Sequence, residues 1–219
     1  MLLPRRRTTS ARAAAVLLSA VAALTACSGE APPTSQATAP PTPIARLNTD
    51  AMRLVRIEFC SLLPSSAVKT ALDGRRGSGE RWRSGQEVAV SGDAGSGEAD
   101  AAGKDVVHEN GCRWSADGYS AAAWLFADPV TTAQAREVMR AAGRQKGCTV
   151  APGPDFGNPS QLQSCRLEDG SLRERYAGLF DDTWLTCEVQ GPSGSTKSAV
   201  RSRAAAWCVQ VANATNTTR

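Results

Sequence analysis

The chain has 219 residues, with 25 Lys and Arg, 21 Asp and Glu and a single His. Four of the bases (Arg5, Arg6, Arg7 and Arg12) lie in the first 26 residues, which hold no acid, so 21 bases balance 21 acids beyond them. The basic excess belongs to the leader and gives no footprint for nucleic acid, and one imidazole excludes most histidine-based catalytic and metal constellations.

Residues 1–26 read as a lipoprotein signal peptide. The arginines form a positive start, and residues 13–24 form an apolar run shorter than the ~20 residues of a spanning helix. Leu24-Thr25-Ala26-Cys27 resembles the lipobox of bacterial lipoproteins, in which cleavage leaves Cys27 lipidated through its sulfur. That predicts a lipid-anchored protein on the extracytoplasmic face of the cell membrane. No apolar pair follows Arg5-Arg6, so the export route stays open between the general secretory and twin-arginine systems. Residues 27–53 carry Pro32, Pro33, Pro40, Pro41 and Pro43 among Thr, Ser and Ala. Such a stretch buries too little to offset its ordering entropy and reads as a disordered stalk.

A single α+β domain is expected over residues 54–212. Residues 61–72 predict a short helix with Pro64 in its first turn and Gly74 as a stop. Residues 74–111, rich in Gly and scattered charge, read as a flexible insertion with strand character only at 86–90. Asp117-Gly118 between residues 112–115 and 119–127 signals a β-hairpin. Thr131 and Gln134 have the spacing of a capping box, and Ala135, Val138, Met139 and Ala142 form an amphipathic stripe. After a Pro/Gly-rich loop at 151–159, strands are expected at 162–167, 172–180 and 184–189, then a helix at 196–212. Val200, Ala204, Trp207, Cys208 and Val211 line one face of that helix, with Lys197, Arg201 and Arg203 placed outside. Residues 213–219 read as a disordered tail. Antiparallel strands with helices packed on one face make an α+β two-layer sandwich. Trp124-Leu125 and Trp184-Leu185, each followed by a helix, hint at an internal duplication.

Apart from Cys27, six cysteines remain: Cys60, Cys112, Cys148, Cys165, Cys187 and Cys208. An even set in an exported chain reads as three disulfides, and zinc is disfavoured because no C-x-x-C pair is present. The sequential pairing Cys60–Cys112, Cys148–Cys165 and Cys187–Cys208 is preferred. Only the last pair has a geometric reason, the apolar face of the final helix packing on the strand that carries Cys187.

Cys60-Ser61-Leu62-Leu63 at the domain opening, Cys112-Arg113-Trp114 on the first hairpin and Cys208 in the last helix complete a likeness. With its lipobox and proline stalk, the chain resembles an uncharacterised, domain-of-unknown-function family of actinobacterial lipoproteins, over roughly residues 54–212. The resemblance implies an envelope location, a lipid anchor and a disulfide-supported α+β fold, and supplies no catalytic residues.

Sites of chemistry are scarce. There is no G-x-S-x-G elbow, P-loop, G-x-G-x-x-G or C-x-x-C, so no catalytic residue, metal or cofactor is expected. Glu168, Asp169, Asp181 and Asp182 fall at predicted turns, where backbone chemistry alone accounts for them. Arg81-Trp82-Arg83, an aromatic between two guanidinium groups in the insertion, is the possible partner contact, unless Trp82 folds back onto its own domain. The expected function is a non-catalytic binding module of the cell envelope, its partner an envelope protein or cell-wall glycan. The alternatives are a glycan hydrolase using paired carboxylates and a carrier of an apolar ligand.

Overall fold

A computed structural model of the chain describes residues 42–89, 104–152 and 154–218. The signal peptide, Cys27 and most of the expected stalk therefore lie outside the described residues. In chain order the elements are α1 (Ser65–Ala71), β1 (Ser78–Trp82), β2 (Glu87–Ala89), β3 (Lys104–Val106), β4 (Glu109–Ala116), β5 (Tyr119–Phe126), α2 (Thr132–Gly143), β6 (Cys148–Pro152), β7 (Ser160–Arg166), β8 (Leu172–Phe180), β9 (Thr183–Gly191) and α3 (Lys197–Thr215). Seven strands make one antiparallel sheet in the order β1-β4-β5-β9-β8-β7-β6, and β2 pairs separately with β3. The α+β fold with a mainly antiparallel sheet is as the sequence predicts.

Local signals place the central elements. Asp117 and Gly118 both have positive φ, 48° and 79°, the backbone of a type I′ hairpin turn that an Asp-Gly pair tolerates. Thr131 caps α2 through the full capping box with Gln134, and Thr196 caps α3 by accepting from the Ala199 N–H.

Successive strand residues point to opposite faces, and the register aligns them in rows. On one face, Cys112, Ala123, Cys187, Tyr176 and Leu162 run across β4, β5, β9, β8 and β7. The main core lies here, beneath α3, with Leu185, Val189, Val200, Ala204, Trp207 and Val211 buried. All three preferred disulfides are formed, Cys60–Cys112, Cys148–Cys165 and Cys187–Cys208. Two of them sit in this row and tie residue 60 and α3 to the sheet.

The helices do not all share that face. The stripe of α2, with Ala135, Val138 and Met139, packs on Ala177, Leu179 and Trp184, which alternate with core residues of β8 and β9 and so belong to the opposite face. This also removes the hint of duplication. Leu125 stands opposite Leu185 in the register, but a rotation exchanging two antiparallel neighbours would keep the following helices on one face.

Several boundaries move. Ile44 and Met52 are buried in the main core, Val55 donates to the Thr215 carbonyl, and Thr217 donates to the Arg53 carbonyl. The expected stalk therefore ends before residue 44, and residues 213–218 are no disordered tail: the two ends satisfy each other's backbone groups. The insertion at 74–111 is largely built, because β1 supplies the hydrogen-bonding partner for the edge of β4. Residues 90–103 of it lie outside the described residues. The loop at 151–159 begins inside β6, held in register by Cys148 opposite Cys165, and later buries Phe156 against Tyr176 and Phe180.

Candidate functional site

Between α1, the 3-10 turn Cys60–Leu62 and β1 lies a groove of about 730 Å³. Each wall has a local cause. The Cys60–Cys112 bridge pins the turn to β4, and Pro64, extended at φ −62°, is the N-cap of α1 rather than a residue of its first turn. Leu63, Val68 and Trp114 give the groove its apolar lining, with Trp114 held edge-on to Trp207 at 5.7 Å.

Lys69, Arg75, Arg76 and Arg81 line the same groove, and no carboxylate does. Two of the four cations are committed. Arg75 pairs with Asp73 at 3.1 Å and lies over the Tyr119 ring at 4.1 Å. The Arg75 hydrogen bond is the largest cause holding the Asp73 carboxyl below its ordinary range. Arg81 is 3.7 Å from Glu58. Lys69 and Arg76 have no carboxylate within ion-pair distance among the described residues. The groove therefore offers apolar contact and unspent positive charge, a combination suited to an acidic, partly apolar ligand.

The Arg81-Trp82-Arg83 triplet is not one patch. Strand alternation turns Arg81 into the groove and Trp82 to the other face of the sheet, where its indole lies across Gly111. A Cβ at Gly111 would fall 2.3 Å from the Trp82 ring, so only glycine leaves room. Trp82 Nε1 donates to Glu109 Oε1 at 2.9 Å. Of the two readings of Trp82, the structure realises folding back onto its own domain. Arg83 is exposed and its backbone N–H donates to Gln86 Oε1. Burial pushes the Glu109 carboxyl up, against the lowering pull of the Trp82 bond and of Arg175.

Sequence reasoning missed Lys69 and Arg76 as groove residues, since nothing local to 61–76 says which side α1 will lay against β1. It also placed Arg201 and Arg203 outside. Arg201 instead donates to the buried Glu174 at 2.9 Å, and Arg203 pairs with Asp73 at 2.9 Å. A long stem lets a guanidinium cover the core edge while its head finds a carboxylate. Among the described residues, no group of three or more His, Cys, Asp or Glu converges as a metal site would require. No protein-family model matches the chain, and comparison with curated proteins found no match.

Proposed function

We propose that this protein is a lipoprotein anchored through Cys27 at the extracytoplasmic face of the cell membrane, as its resemblance to the actinobacterial family implies. Its folded domain is a non-catalytic binding module of the envelope, and the groove beside α1 takes an acidic segment of an envelope protein. The observation that carries the binding role is the groove's lining, four cations and no carboxylate around Leu63, Val68 and Trp114. Paired-carboxylate cleavage of a glycan finds no acid in that lining to perform it. Export is supported by the pairing of all six domain cysteines, since such bridges persist in oxidising compartments.

Two measurements test this reading. Cys27→Ala should move the protein from the membrane to the soluble fraction, and a variant that still sediments with lipid refutes the anchor. A photoreactive side chain at Ser66, in intact membranes, should give adducts on an acidic segment of an envelope protein. Those adducts should vanish when Lys69→Glu and Arg76→Glu are combined. Adducts on glycan, or adducts indifferent to charge reversal, refute the groove.

A further inference from the structure

The sheet face opposite α3 holds a second, independent site. In Leu172-Arg173-Glu174-Arg175-Tyr176, alternation sends both arginines to this face and Glu174 to the other. Arg113 arrives on the same face from β4. The register aligns Glu80, Arg113, Ala122, Glu188 and Arg175 in one row. The next row, toward the Asp117-Gly118 turn, is Ser115, Ser120, Gln190 and Arg173. Short serines between long side chains leave a depression of about 520 Å³, with Arg113, Arg173, Glu188 and Gln190 around it.

The lining holds two arginines, Arg113 and Arg173, and two carboxylates, Glu188 and Asp117, but both carboxylates pair with arginines outside it, Arg175 and Arg75. Glu188 is buried and already engaged, its Oε2 lying 2.7 Å from Arg175 Nε and 2.7 Å from Arg175 Nη2. Arg173 Nε stands 3.7 Å from that same oxygen, too far for a hydrogen bond, and is buried without a hydrogen-bond partner. Among the described residues, Arg173 Nη2 donates to the Cys165 sulfur at 3.5 Å, a weak acceptor. Glu80 takes Arg113 at 3.2 Å on the exposed side, and Asp117 at the rim faces Arg75 at 3.6 Å. Of Arg113, Arg173 and Arg175 on this face, the most enclosed, Arg173, is thus the one without a close carboxylate. Desolvation, followed by repulsion from Arg175 and Arg113, lowers the Arg173 pKa against the pull of Glu188. Leaving a buried charge under-compensated is costly, and an incoming anion removes that cost.

We propose that this depression is a phosphate site, held by the Arg173 and Arg113 guanidiniums with Ser115, Ser120 and Gln190 as neutral donors. A tetrahedral phosphate offers acceptor oxygens in several directions, which suits donors converging from β4, β5, β9 and β8 better than a planar carboxylate does. Free phosphate and the headgroup of an anionic lipid share this chemistry. The site lies on the opposite face from the α1 groove and is independent of it.

The test uses the full chain, titrated with inorganic phosphate by calorimetry and, separately, with vesicles of phosphatidylglycerol or phosphatidylcholine. Inorganic phosphate should bind at one site, with affinity reduced at least tenfold by Arg173→Gln. Preference for phosphatidylglycerol over phosphatidylcholine, lost in the same variant, assigns the headgroup as source; binding of inorganic phosphate with no binding to either vesicle assigns free phosphate. Ser120→Ile fills the depression without altering charge and should also abolish binding, which keeps the test valid if Arg173→Gln fails to fold. Absence of saturable phosphate and phosphatidylglycerol binding, or binding unchanged in both variants, overturns the proposal.

Discussion

The α3 face and the α2 face of the sheet take alternate residues of the same strands and bury them by different means. Beneath α3 the contacts are mainly apolar, centred on Trp207, with the Arg201–Glu174 pair among them, and two disulfides cross from the sheet to its cover. On the other face α2 shields only one end, at Ala177, Leu179 and Trp184, and the rest is a mosaic of guanidinium, carboxylate and indole. Arg175 there lies 5.2 Å from the Trp124 ring centroid. Stability and recognition are thus divided by the pleat: one face is spent on the core, and the other keeps charge accessible.

That division is open to attack at four points. The largest effect should come from Trp207→Ala, which deletes a buried indole, its edge-on contact with Trp114 and its Nε1 bond to the Ala122 carbonyl. A loss of about 3–5 kcal/mol is expected in denaturant unfolding with the bridges intact; a loss below about 1 kcal/mol would mean that the α3 face does not carry the fold. Next, replacing Cys187 and Cys208 together by Ser should cost about 3 kcal/mol through chain entropy. The Cys148–Cys165 bridge spans 17 residues against 21, so the same double replacement there should cost nearly as much. A clearly smaller loss at that edge would show that packing beneath α3, and not loop length, sets the value of the bridge.

Thr131→Ala removes the cap of α2 and should cost about 1 kcal/mol, read as a lowered Tm. The smallest effect concerns pH at Glu109. Burial raises its folded pKa above the ordinary 4.5, so between those two values the folded chain binds more protons than the unfolded one. Its contribution to stability is fullest below the unfolded pKa and is lost as pH rises through the folded one. Glu109→Gln stays neutral throughout, so its Tm should exceed that of the unsubstituted chain at pH 7 and converge with it near pH 4. Parallel Tm curves across that range would show that Glu109 is not desolvated on this face. Asp182 has the opposite sign. Its hydrogen bond with Arg56 is the largest cause lowering its pKa, so its contribution is lost only as pH falls through the depressed folded value.

Elements with strong local chemistry were readable in advance. The Asp117-Gly118 turn, the Thr131 capping box and the apolar stripe of α3 each rest on a handful of neighbouring residues. Of the disulfides, only Cys187–Cys208 had a reason in the sequence, the apolar face of α3 packing on its strand. Six cysteines allow 15 pairings, and the other two bridges are fixed by packing and register between distant segments. The edge strands β1 and β6 did not come through, since most of their side chains are exposed and an edge strand needs no apolar alternation. Trp82 looked stranded because Gly111, the residue that makes room for it, is 29 positions away in sequence and adjacent only through the register.

Sequence alone therefore determined the capped helices, the Asp-Gly turn and the inner strands, and which sulfurs are available to join them, because these depend on neighbours along the chain. Tertiary structure decided which face each helix covers, and which distant side chains fall in one row. Those outcomes rest on register and packing between strands far apart in the chain, and both the α1 groove and the arginine-lined depression exist only at that level.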